Sequence, residues 1–155
     1  MVIPRPTLTM MITEVMGNPH DFQSFHDGHF DGIHLEPVKT VHIFLRAANK
    51  DRYVLVLKGV EALTLSGIKA GNIILDLVIR SAREATSTDV QELYDLDENT
   101  DQAAKLLKAI REKRFQILEL NPSYGASGLF LFENFEIKEA NEWVASMIPS
   151  VEAKV

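Results

Sequence analysis

Thr40-Val41-His42-Ile43-Phe44-Leu45-Arg46 decides the fold class, because Val41, Ile43 and Leu45 alternate with Thr40, His42, Phe44 and Arg46. A period of two is what a strand with one buried face requires. Ala47-Ala48-Asn49-Lys50-Asp51 then makes a polar turn, and Tyr53-Val54-Leu55-Val56-Leu57 returns as a β-branched and aromatic run, so the two pair as a hairpin. Strand signals extend outward from that hairpin over His29 to Ser81. Gly59 breaks the next segment away, and Val60 to Leu65 reads as a further short strand. After Gly67 and Gly71, Asn72 to Arg80 is apolar on both faces and is expected to be the most central strand. No connection in this span is long enough for a crossover helix, which points to antiparallel pairing.

The second half changes period. Thr88-Asp89-Val90-Gln91 has a capping-box pattern and is expected to open a short helix through about Tyr94. A longer helix is expected from about Asp101 to Arg114, with Ala103, Leu106, Leu107 and Ile110 on one stripe lying across the sheet. Phe115 to Leu120 reads as strand, Asn121 to Gly128 as loop, and Leu129 to Ile137 as a last strand. Lys138 to Ile148 reads as a C-terminal helix with Trp143, Val144 and Met147 inward. The expectation is one α+β domain over residues 1–155 with its core at about 25–148. It has a mostly antiparallel sheet of about six or seven strands, one main helix packed on it and a C-terminal helix. Residues 1–6 and 150–155 are expected to be peripheral.

Composition narrows the function classes. The chain lacks cysteine, which excludes disulfides, thiolate metal sites and a cysteine nucleophile. Its net charge of −6 repels phosphate backbones, so no nucleic-acid partner is expected. The dense basic stretch Lys105, Lys108, Arg111, Lys113 and Arg114 reads as the solvated face and positive last turn of one helix. The opening Met1 to Thr7 has no secretory pattern, and Leu8 to Val15 is too short and too polar for a membrane span. A cytoplasmic protein without membrane contact is the expectation.

All five histidines lie between positions 20 and 42, interleaved with aspartates in His26-Asp27-Gly28-His29-Phe30-Asp31-Gly32-Ile33-His34. Imidazole and carboxylate are ligands that divalent zinc, iron, manganese or nickel accept, which makes His26, Asp27, His29 and Asp31 the metal candidates. On a regular strand His29 and Asp31 share a face, and His34 cannot join them without a bulge. The bland alternative is exposed histidines in turns and at strand edges. Asp76, inside an Ile/Leu/Val run, must reach the rim, meet a cation such as Arg46 or Arg80, or be protonated. Gly125-Ala126-Ser127-Gly128-Leu129 lacks nucleophile-elbow spacing, and Ser66-Gly67-Ile68-Lys69 matches its motif in the wrong setting, so no catalytic constellation survives its own geometry. His42, Phe44 and Arg46 share the face opposite the aliphatic one. Either a second layer covers that face or it is a patch for a protein partner.

The order of several segments resembles a known group. Phe25-His26-Asp27-Gly28 precedes a strand and hairpin. Gly59-Val60-Glu61-Ala62-Leu63-Thr64-Leu65 and Gly71-Asn72-Ile73-Ile74-Leu75-Asp76 follow, and Tyr124-Gly125-Ala126-Ser127-Gly128 leads into the last strand. From about Phe25 to Ile137 this resembles small bacterial domains grouped among the candidate immunity proteins of polymorphic toxin systems. The helical insert from Thr88 to Arg114 is additional to that pattern. The resemblance implies binding of a cognate toxin without a cofactor, and it assigns no site residues. Two expectations follow. The first is a non-enzymatic, immunity-like binding protein with a protein partner. The second is a metal-dependent hydrolase or metal-binding protein using the cluster at His26 to His34. An exposed strand edge also leaves room for a homodimer.

Overall fold

The computed structural model of the protein describes residues 22–97 and 100–139. It is an α+β fold whose eight strands form one antiparallel sheet. In chain order the strands are β1 (His29–Glu36), β2 (Thr40–Arg46), β3 (Arg52–Lys58), β4 (Ala62–Ser66), β5 (Ile73–Ser81), β6 (Gln116–Tyr124), β7 (Ser127–Phe132) and β8 (Asn134–Glu139). Two helices, α1 (Ser87–Tyr94) and α2 (Asp101–Glu112), stand between β5 and β6. The spatial order is β4-β7-β6-β5-β1-β2-β3-β8.

The sheet is folded on itself. Phe22 donates its backbone N–H to Leu77 on β5 and packs its ring edge-on against Phe135 on β8, with centroids 5.8 Å apart. In the strand order β5 and β8 are four places apart, which in a flat sheet is roughly 19 Å. The two halves must therefore face each other, and they share one core. Val41, Ile43, Leu45, Leu55 and Leu57 from one half meet Ile74, Leu77, Ile79, Leu118, Leu120 and Phe130 from the other. Two glycines sit at the bends. Gly28 joins the halves where β1 leaves β5, and a Cβ there would collide with the Arg46 carbonyl. Gly59, at φ +68°, lies where β3 passes into β4, and a Cβ there would come within 2.8 Å of the Glu133 side chain.

The helices cover the opposite face of the second half. Val90 and Leu93 of α1 and Ala103 and Ile110 of α2 pack on Ile117, Leu129 and Leu131, with Leu106 and Leu107 partly buried beside them. The expected amphipathic stripe is thus present, but α2 turns it chiefly towards α1 and the Ala82–Glu84 turn, and it is α1 that lies against β4 and β7. The aliphatic side chains of β2, β3 and β5 are buried by the folding of the sheet instead.

Several expected boundaries are corrected. Leu129 to Ile137 is two strands, because the chain bends at Glu133 as β7 crosses into the other half. Asn121 to Tyr124 continues β6. Pro122 is tolerated there because it lies opposite Ile74 at a register shift, where the ladder is already interrupted. The first helix starts at Ser87. Its cap is Thr86, whose Oγ1 accepts from Asp89 N at 3.3 Å while Asp89 Oδ2 accepts from Thr86 N at 2.7 Å. β5 is central in order, but only Ile74, Leu77 and Ile79 are buried; Ile73, Leu75 and Asp76 are exposed. Lys138 and Glu139 belong to β8, and the rest of the expected C-terminal helix lies outside the described residues.

Candidate functional site

A cleft of about 480 Å³ lies where α1 leans over β5, β6 and β7. Arg80 stands at its centre. It lies on β5 diagonally opposite Glu119 on β6, and the chain then turns through Ala82–Glu84 so that α1 begins beside it. Arg80 Nη2 donates to Asp89 Oδ1 at 2.6 Å and to Glu119 Oε1 at 2.8 Å, and Nε donates to the same Glu119 oxygen at 3.0 Å. Burial alone would push the Asp89 carboxyl up. The hydrogen bonds from Arg80 and the Thr86 backbone outweigh it and hold Asp89 below the usual aspartate range. Burial likewise opposes the charge on Arg80, and its bonds to Asp89 and Glu119 outweigh that, raising its pKa.

One arginine serves two carboxylates here, and the cleft is also lined by Glu84 and Glu92, both exposed. Its charge is therefore negative. Thr86, Thr88, Asn121 and Ser127 add hydroxyl and amide groups that can accept hydrogen bonds. Such a lining suits a lysine or arginine side chain, which carries only donors. None of these acidic residues stands out in the sequence. The available signal is Arg80 itself, a cation at the end of an apolar strand that must find a carboxylate once buried.

The residues singled out from the sequence are distributed differently. Arg46 donates from Nε to Asp31 Oδ2 at 2.7 Å and from Nη2 to Asp31 Oδ1 at 3.0 Å, so a two-pronged ion pair engages one metal candidate. His26 Nδ1 donates to the Leu75 carbonyl at 2.6 Å, and its Nε2 lies 3.7 Å from Asp27 Oδ2. Among the described residues no three His, Asp or Glu side chains converge as a metal site. A bulge does occur in β1 between Phe30 and Gly32. It aligns His29 with Arg46 and His34 with His42, so both histidines come to the face that a regular strand denies to one of them. The His34 and His42 rings are 5.8 Å apart, and His42 Nε2 lies 2.7 Å from Glu36 Oε1.

His42, Phe44 and Arg46 do share a face, and that face is covered at its centre. His42 is 6% exposed, Val54 and Val56 beside it are buried, and Phe44 packs against those valines. Asp76 is exposed, and Arg80 is committed elsewhere. It lines a smaller cleft of about 360 Å³ together with His26, Gln23 and Leu75, which brings together two residues the sequence treats separately.

Comparison with known proteins finds no matching family model, no matching curated protein and no matching solved structure. No helix among the described residues is long and apolar enough to cross a membrane.

Proposed function

We propose that this protein acts by binding rather than by catalysis, as an immunity-like protein that holds a basic protein partner in the cleft around Arg80. The observation that carries this reading is the cleft's charge: Glu84, Asp89, Glu92 and Glu119 surround a single guanidinium in a concave, polar-lined surface. The chain's net charge of −6 supports it, because a negative field steers a cationic partner towards the protein. The resemblance of its segment order to candidate immunity proteins motivates the choice of partner, a bacterial toxin. The reading needs no cofactor. The rival, a metal-dependent hydrolase at His26, Asp27, His29 and Asp31, would have to release Asp31 from Arg46 before all four could serve as ligands, whereas the His26 Nδ1 bond to Leu75 leaves its Nε2 available.

The test is photo-crosslinking from position 92 in cells, followed by identification of the captured chain and titration of that purified chain. The expected result is a basic protein, encoded beside this one, whose binding weakens with salt and falls at least about tenfold in a Glu84→Lys, Glu92→Lys variant. Capture of no protein, or a partner indifferent to the double charge reversal, contradicts the proposal. Metal analysis of protein purified without chelator tests the rival: stoichiometric metal that disappears in His29→Ala would reverse the ranking.

A further inference from the structure

We propose that β4 is a self-pairing edge through which two copies of this chain join their sheets, a property independent of the acidic cleft. β4 stands at one end of the strand order, and among the described residues it pairs only with β7. Exposed edges are ordinarily guarded by charge, proline or a bulge. The strand at the other end of the order, β8, carries Glu136, Lys138 and Glu139. β4 reads Ala62-Leu63-Thr64-Leu65-Ser66, without a charge or a proline, and its pairing with β7 runs without a register shift.

The occupant is read from that sequence, which has the same character in both directions about Thr64. In an antiparallel pair with a two-fold axis at Thr64, Leu63 of one copy lies opposite Leu65 of the other, Ala62 opposite Ser66, and Thr64 opposite itself. Every position then meets a compatible one, and the contact is isologous and closes. Leu63 and Leu65 are only partly buried, and both lie on the face that packs against the main core. Leu63 also lines a groove of about 360 Å³ with Leu35, Val41 and Val60. Leu65 of the second copy, beside Leu63 on the same face, is placed to enter that groove. Beyond the strand, the same antiparallel direction brings Ile68 and Lys69 of one copy towards Val60 and Glu61 of the other. Ile68 is 57% exposed and would gain cover there, and Lys69 would come beside the existing Lys39–Glu61 pair, whose N···O distance is 3.0 Å.

Sedimentation equilibrium of the full chain tests the inference. Wild type is expected to sediment with the mass of two chains. Leu65→Lys, and separately Thr64→Lys, which sets two ammonium groups face to face, are expected to weaken association at least about tenfold with an unchanged circular dichroism spectrum. Should either variant fail to fold, amide exchange on wild type decides: those β4 amides that point away from β7, every second one along the strand, should gain protection as concentration rises. A wild type that remains a single chain at its highest soluble concentration overturns the inference. So does a dimer whose mass neither substitution changes, or whose β4 amides exchange at the same rate at all concentrations.

Discussion

Each half of the folded sheet places one arginine against an aspartate, and the two sites differ in what surrounds them. Arg46 reaches Asp31 across the β1 bulge with both side chains 35% exposed. Arg80 is 16% exposed and holds Asp89, 10% exposed, together with Glu119. The first is a near-surface pair whose loss water can repair. The second joins β5, β6 and the first turn of α1 in a setting where an abandoned charge has little solvent to turn to. The helices make the difference, since they shelter only the half carrying Arg80.

That contrast can be broken most severely at Arg80. Arg80→Ala should cost about 3 kcal/mol, towards the lower end for breaking a buried pair because Glu119 keeps some water contact. Thermal or urea unfolding measures it, and a loss equal to that at Arg46 would erase the distinction. Next comes the cap: Thr86→Ala removes the acceptor for Asp89 N and should cost about 1 kcal/mol. Arg46→Ala should cost less than about 1 kcal/mol and lose its effect in high salt.

Acidity sharpens the same comparison. Asp89 has a depressed pKa when folded, so its contribution is present above the ordinary aspartate range and lost as pH falls below about 4 and through the folded value. Stability measured down this range should decline less steeply in Asp89→Asn than in wild type. His26 behaves oppositely. Its bond to the Leu75 carbonyl, aided by Asp27 and Asp76, raises its pKa. Its small contribution is therefore present at low pH and lost as pH rises through the raised folded value. His26→Ala should flatten the pH dependence of stability just above the ordinary histidine range, and an unchanged slope would show that the bond contributes nothing.

The two sites were also unequally legible. The alternation Val41, Ile43, Leu45 identified β2 and its hairpin because side-chain period is a local property. The bulge at Asp31 leaves no such mark, so the sequence separated His34 from His29 where the structure aligns them. The cap was read two residues late because two overlapping patterns, at Thr86 and at Thr88, fit the same rule. Only the nearby Arg80, which fixes Asp89, favours Thr86. The bend at Glu133 and the pairing of Arg80 with Glu119 depend on which strands become neighbours. The cleft depends on the same non-local fact, which sets Glu119 of β6 beside Glu84, Asp89 and Glu92.

The most direct measurement is a backbone amide NMR titration of the isotopically labelled protein with an arginine-rich peptide. Shifts are predicted to concentrate at Glu84, Thr88, Glu92, Asn121 and Ser127, and to fade in Glu84→Lys, Glu92→Lys. Shifts gathered instead around His42, Phe44 and Arg46, or spread evenly over every acidic residue, would contradict a binding role for the cleft at Arg80.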